Sequence, residues 1–290
     1  MKKVLVPVNY TENYDNTLCY ADQLAAKIQA EVVLMQCAET PTLTQTRKSE
    51  LLHRLRGEAA RLQQKAGLAS GTVKHECVVR PGWTQDCMTE AVKSYHIDLI
   101  VMSSEGVGQL ADDAPVSLDQ LERCPVLIVP PAAKFRSVQK IVFATDFADQ
   151  DPVVLKKIAA FAALFDAELL LVHAYSEAER KELSPYKKSI AAIRKNLAYN
   201  NISFHVLEED DVLEGISEFA EQNHADMLLM ATQDAYLLQR LYAKDYAKTM
   251  AYHTRIPLLN FYQIKNNPCS GCCTNCVTKK QYLSGEATAL

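Results

Sequence analysis
The sequence predicts an α/β fold of two tandem doubly wound open parallel sheets, Rossmann-like in type, followed by a short Cys-rich C-terminal tail. A repeat is the first reason. Lys2 to Cys37 lies over Gln139 to Ala174 without a gap: Val4 on Ile141, Leu5 on Val142, Val32-Val33-Leu34 on Leu169-Leu170-Leu171, and the turn Gln29-Ala30-Glu31 on Asp166-Ala167-Glu168. The end of each unit repeats as well. Tyr95-His96-Ile97-Asp98 and its apolar run to Met102 match Asn223-His224-Ala225-Asp226 and the run to Met230, while Cys124-Pro125-Val126-Leu127-Ile128 matches Ile256-Pro257-Leu258-Leu259-Asn260. Finally, short runs of Val, Ile and Leu alternate with longer segments of helical period, the pattern of a parallel sheet with helices on its faces.

Taken in order, the first copy reads as strands at Lys3 to Val8, Glu31 to Gln36, Thr72 to Val79, Leu99 to Met102 and Val126 to Val129. The helices between them read Asn16 to Gln29, Thr46 to Ala66, Gln85 to Tyr95 and Ser117 to Glu122. The second copy places strands at Lys140 to Thr145, Glu168 to His173, Ser203 to Leu207, Met227 to Met230 and Pro257 to Phe261. Runs that are apolar on successive residues, such as Leu99-Ile100-Val101-Met102, imply burial on both faces. Each copy spans roughly 130 residues, enough to bury its own core. The join falls at Pro130 to Ser137, where two prolines interrupt regular pairing, so the domains are expected at 1–132 and 138–264, with the tail at 265–290.

Composition is that of an ordinary soluble protein, 48% apolar and 23% charged with a net charge of -4, which leaves no basic excess to favour nucleic acid. No apolar run approaches membrane-spanning length, and the stretch after Met1-Lys2-Lys3 is too short for a signal-peptide core. A cytoplasmic location is expected. Cys19, Cys37, Cys77, Cys87 and Cys124 are scattered among apolar neighbours, as small buried hydrophobes in a reducing compartment would be.

Open α/β sheets bind ligands beyond the carboxyl ends of their strands, where strand order reverses and helix amino termini offer free N–H groups. The residues to inspect are therefore Pro7-Val8-Asn9 and Ser103 to Ser117, with Ala144-Thr145-Asp146 and Ala231 to Thr249 as their copies. At these loops the chain resembles the universal stress protein family. The resemblance covers both repeats and rests on the Val-Pro-Val-Asn and Ala-Thr-Asp strand ends, the His-x-Asp lead into the fourth strand, the loop after it, and the Pro-containing last strand. It implies an adenine nucleotide alpha hydrolase-like fold. It also implies that some members bind ATP through an acid at the end of strand one and a Gly-x2-Gly-x9-Gly-Ser/Thr loop, whose glycines let backbone approach phosphate. Others lack the loop and bind no nucleotide.

Laid on that pattern, the first copy reads Ser103-Ser104-Glu105-Gly106, nine residues, then Val116-Ser117, with Asn9 where the family has its acid. Valine replaces the third glycine, and no basic residue stands between Lys93 and Arg123 to answer a triphosphate, although Glu105, Asp112 and Asp113 do. The second copy keeps Asp146 and adds Arg240, Lys244 and Lys248, but Ala231-Thr232-Gln233-Asp234, thirteen residues, Lys248-Thr249 contains no glycine. Candidate nucleotide residues are thus Val8, Asn9, Ser103, Gly106, Ser117, Thr145, Asp146, Lys248 and Thr249, with turn capping as the plainer role for Asn9 and Asp146.

The tail carries Cys269, Cys272, Cys273 and Cys276, two Cys-x2-Cys pairs set back to back among Ser, Gly, Thr and Asn. Such turn-forming residues can aim sulfurs at a thiophilic ion such as zinc, but the missing spacer strains a single tetrahedral site. Metal binding, thiol–disulfide chemistry and a tail with no defined site all remain open readings. His96 and His224 occupy equivalent places, which suggests a cation at a helix carboxyl terminus. Trp83, in a turn after Pro81-Gly82, is expected to be partly buried, with surface stacking or an interface anchor as alternatives. No nucleophile elbow, zinc-protease run or dinucleotide fingerprint is present.

The favoured reading is a non-catalytic tandem protein for stress-linked regulation or partner binding, its halves packed as an internal pseudo-dimer by their closing strands, with homodimerisation an open alternative. The family resemblance supplies that pairing, which would also hide two sheet edges. An ATP-hydrolysing protein acting through the second copy and a metal carrier or sensor are the rivals.

Overall fold
Two successive amides, Lys2 and Lys3 N–H, donate to the carboxylate of Asp98 at 2.6 and 3.1 Å, and Gln139 and Lys140 do the same to Asp226 at 2.7 and 3.0 Å. The duplicated His-x-Asp segment therefore exists to tie the start of one strand to the start of another. The structure is a computed structural model that describes residues 2–8, 14–104, 121, 124–145, 151–175, 177, 186–209, 211–232 and 255–263.

The first unit holds the described residues up to Ser137 together with residues 255–262. Its strands are β1 (Lys3–Pro7), β2 (Glu31–Cys37), β3 (His75–Arg80), β4 (Leu99–Ser103) and β5 (Val126–Val129), and its helices α1 (Tyr14–Ile28), α2 (Gln45–Lys65) and α3 (Thr84–Tyr95). The strands lie in the order β3-β2-β1-β4-β5 and all run parallel. The second unit begins with β6 (Lys140–Ala144), α4 (Pro152–Ala163), β7 (Glu168–Tyr175) and α5 (Tyr186–Leu197). It continues with β8 (Ile202–Glu208), α6 (Val212–Gln222) and β9 (Met227–Ala231), and its strands run parallel in the order β8-β7-β6-β9. Strand β10 (Leu258–Phe261), the closing strand of the second repeat in sequence, belongs by contact to the first unit, where Leu258, Leu259 and Asn260 pair antiparallel with Ile128, Leu127 and Val126.

Burial follows the apolar runs. Val4, Leu5, Val32 to Met35 and Leu99 to Val101 are wholly buried, as helices on both faces require. The edge strands β3 and β8 are only half covered and carry the polar residues that exposed edges tolerate. The second strand of each repeat begins after a left-handed residue at the preceding turn, Gln29 at φ 56° and its copy Asp166 at φ 55°. His96 and His224 also take positive φ, 54° and 52°, at the ends of α3 and α6. The histidines are thus helix-end residues, but through the backbone turn each makes: the amide of His96 donates to Val92 O and that of His224 to Glu221 O.

Helix starts follow the expected chemistry. Thr44 Oγ1 accepts from Arg47 N–H, and Asp151, before Pro152, accepts from Val153 N–H at 2.8 Å. Asp211 accepts from the amides of Leu213 and Glu214. The first helix begins at Tyr14, earlier than the Asn16 expected from its pattern. Strand β3 starts at His75 and not at Thr72, because the buried Gln63 amide holds the preceding turn, accepting from Gly71 N–H at 3.2 Å and donating to Val73 O at 3.0 Å.

Two other expectations are corrected. Trp83 is 65% exposed, because it stands as the N-cap of α3 with its side chain outside the packed layers. Only Cys87 and Cys124 of the scattered cysteines are buried; Cys19 within α1, Cys77 within the edge strand β3 and Cys37 at the end of β2 are half covered, and none of the five is in a disulfide.

Candidate functional site
The chain order β3-β2-β1-β4-β5 reverses direction between β1 and β4, and the second unit reverses between β6 and β9. Register places the residues at these crevices. Pro7 pairs with Met35 and Leu5 with Ile100, so one step on, Val8 stands level with Gln36 on β2 and with Ser103 on β4. Ser103 in turn pairs with Val129. The same arithmetic in the second unit sets Thr145 level with His173 on β7 and Ala231 on β9. The backbone confirms the equivalence: Val8 N–H donates to Met35 O at 2.8 Å, and Thr145 N–H to Val172 O at 2.9 Å.

Each crevice is therefore floored by a short row across adjacent strand ends, Gln36-Val8-Ser103 in one unit and His173-Thr145-Ala231 in the other. Gln36, Ser103 and His173 are buried polar residues in strands that are otherwise apolar, and Thr232, next along from Ala231, is buried too. His173 Nδ1 lies 3.1 Å from the Thr145 carbonyl. A carbonyl only accepts, so that ring nitrogen carries the proton and the imidazole is fixed in one orientation. Tyr175, two residues on, stacks on the His173 ring at 6.3 Å and donates its hydroxyl to Glu208 at 3.0 Å. Such rows can hydrogen-bond the heteroatoms of a polar ligand. The three-residue floor of the first crevice carries no fixed positive charge, so a triphosphate would find no counter-ion in it.

Of the residues singled out from sequence, Val8, Ser103 and Thr145 occupy the crevice floors. Asn9, Gly106, Ser117, Asp146, Lys248 and Thr249 lie outside the described residues, as do Cys269, Cys272, Cys273 and Cys276. Gln36 and His173 stand beside Val8, Ser103 and Thr145 in the same rows and were not singled out from sequence. The signal was present: a polar side chain at the same register of two apolar runs, Val-Val-Leu-Met-Gln and Leu-Leu-Leu-Val-His. Among the described residues no three His, Cys, Asp or Glu side chains gather as metal ligands would. No helix among them is long and apolar enough to cross a membrane.

A parallel sheet with helices on its faces and a strand-order switch point in each unit defines a tandem α/β protein of the doubly wound type. The family model of the universal stress protein family matches residues 1–130 and again 137–260, and the chain belongs to that family. Among solved structures it is similar to a universal stress protein from Archaeoglobus fulgidus, with 15% identity and a TM-score of 0.60 over 90% of this chain and 98% of that one. It is also similar to a functionally unknown protein from Pseudomonas aeruginosa, with 16% identity and a TM-score of 0.51 over 98% and 97% of the two chains. Among curated proteins none matches.

Proposed function
We propose that the chain is a regulatory or partner-binding universal stress protein that performs no turnover, with nucleotide crevices that have eroded in opposite ways. The uncharged floor Gln36-Val8-Ser103 carries this reading, together with Val116 where a phosphate loop needs glycine. In this reading the domains are residues 1–132 and 138–264, the tail is residues 265–290, and the location is cytoplasmic. The pairing of β5 with β10 supports an internal pseudo-dimer built on the closing strands. Calorimetry with ATP and magnesium tests the central point: heats no larger than dilution up to millimolar nucleotide are expected, and a saturable isotherm overturns it.

One observation favours a second reading. The crevice of the second unit keeps polar groups at Thr145 and His173, and the sequence carries Asp146 directly after Thr145 and Lys248-Thr249 at the end of the stretch that follows the fourth strand. On that reading the second domain holds ATP, Asp146→Ala abolishes binding, and phosphate release from ATP follows. A thiolate site for zinc at Cys269, Cys272, Cys273 and Cys276 is independent of both, and elemental analysis of the purified chain with and without residues 265–290 decides it.

A further inference from the structure
The end of β2 and the turn between β3 and α3 are clamped together by three backbone bonds: Ala38 N–H to Arg80 O at 2.9 Å, Glu39 N–H to Gly82 O at 3.2 Å, and Gly82 N–H to Thr40 O at 2.7 Å. Each of the clamped stretches carries a cysteine. Cys37 is the last residue of β2, and Cys87 lies in the first turn of α3, where its amide donates to Trp83 O. Cys37 pairs in register with Arg80, and Cys87 Sγ reaches the carbonyl of the next residue, Pro81, at 3.4 Å, so the two thiols lie close enough for each to act on the ionisation of the other. Gly82, at φ 106°, forms the turn beside Cys87 Sγ, which a Cβ there would meet at 3.7 Å, an ordinary contact. The two cysteines are thus held as neighbours by main chain rather than by long mobile side chains, the placement that a disulfide about 2 Å long needs.

The repeat provides an internal comparison. The residues equivalent to Cys37 and Cys87 in the second unit are Ala174 and Gly215, so the core of this fold does not need the thiols in these places.

We propose that Cys37 and Cys87 form a reversible disulfide, driven by exchange with a low-molecular-weight disulfide, that staples the exit of β2 to the start of α3. Cys37, half covered where Cys87 is buried, attacks the small disulfide as thiolate, forming a mixed disulfide and expelling one small thiol. The Cys87 thiolate then attacks the Cys37 sulfur and expels the second. Two protein thiols lose two protons and two electrons, and the small disulfide becomes two thiols. Burial pushes both thiols above their usual range, Cys37 far above it, so the exchange runs faster as pH rises. The staple sits one residue beyond Gln36, so oxidation stiffens one wall of the first crevice.

The full chain, equilibrated in glutathione buffers from fully reduced to fully oxidised, quenched in acid and alkylated, tests this by non-reducing peptide mapping. The expected result is a Cys37–Cys87 cross-linked peptide in most molecules on the oxidised side, lost on reduction, with Cys19, Cys77 and Cys124 still alkylated. Trp83, the single tryptophan, reports the same transition by fluorescence. Cys37→Ser and Cys87→Ser each abolish the cross-link and the fluorescence change. Full alkylation of both residues in every buffer overturns the proposal. So does their recovery only as glutathione adducts or in bonds to other cysteines. The mapping of the unmodified chain stands whether or not a variant folds.

Discussion
His75 Nε2 donates to Asp22 Oδ1 at 2.7 Å, and the carboxylate it reaches is wholly buried between α1 and the edge strand β3. The other oxygen, Oδ2, has no hydrogen-bond partner. The second unit has Ala159 and Ile202 in the equivalent places, Ile202 pairing with Leu169 as His75 pairs with Val32. The duplication has in effect tried both solutions, one polar and one apolar.

His75→Ala alone is expected to cost about 3 kcal/mol, because it strands a buried carboxylate. The double variant Asp22→Ala/His75→Ile, which copies the other unit, is expected to lie within about 1 kcal/mol of the parent. Urea midpoints measured on both variants check this. A single variant as mild as the double one would mean that water reaches Asp22.

Much of this was legible in the sequence and some was not, for reasons that can be named. The strands β1, β2, β4, β6 and β9 were legible because continuous apolar runs such as Leu99 to Met102 have few other uses in a chain of this period. Strand β3 was misplaced at its start because the signal there, Gln63 reaching Gly71 and Val73, is a long-range hydrogen-bond pattern that local composition does not carry. Trp83 was expected to be partly buried because its size favours burial, yet its backbone position as a helix cap turned it outward. The strand-end positions of Val8, Ser103 and Thr145 could be read from the fold rule alone, whereas the places of Gln36 and His173 beside them emerge only when the register of neighbouring strands is known.

Glycine substitution is expected to act in opposite directions at two helical sites. A Cβ on Gly215 in α6 would lie 2.6 Å from Glu209 Cγ and 2.9 Å from its Cβ, so Gly215→Ala is expected to destabilise by about 1–3 kcal/mol. At Gly57 in α2 a Cβ meets nothing within 4 Å, and Gly57→Ala is expected to stabilise by up to about 1 kcal/mol. Thermal melts of the two variants, run side by side, give the signs directly.

The caps at Asp98 and Asp226 are expected to be interchangeable in worth. Asp98→Ala and Asp226→Ala each remove two charge-assisted bonds to strand amides, and each is expected to cost about 1–2 kcal/mol. Hydrogen exchange at Lys3 and Lys140 amides, accelerated in the matching variant only, separates this local role from general loss of stability.

Helix α2 is pinned to α1 by charge. Arg61 bonds Asp15 at 2.8 and 3.2 Å and Glu58 at 2.7 Å, and Lys65 joins Asp15 at 2.7 Å. The Arg61 hydrogen bond, helped by Lys65, holds the Asp15 carboxyl below its ordinary value of 3.8. Because the folded value is depressed, the contribution is complete above that pH and disappears as pH falls through the folded value. Both groups are partly in water, so Arg61→Ala is expected to cost no more than about 1 kcal/mol at neutral pH and nothing in strong acid. Denaturation curves of the parent and variant should therefore converge on acidification.

The pairing of β10 with β5 carries a lesson for biosynthesis. Val126 to Val129 leaves the ribosome long before Leu258 to Phe261, so throughout translation of the second repeat the first sheet waits with a naked apolar rim. A nascent chain in that state is a ready partner for any other unfinished strand, and arrest of translation before residue 258 would leave it permanently adhesive.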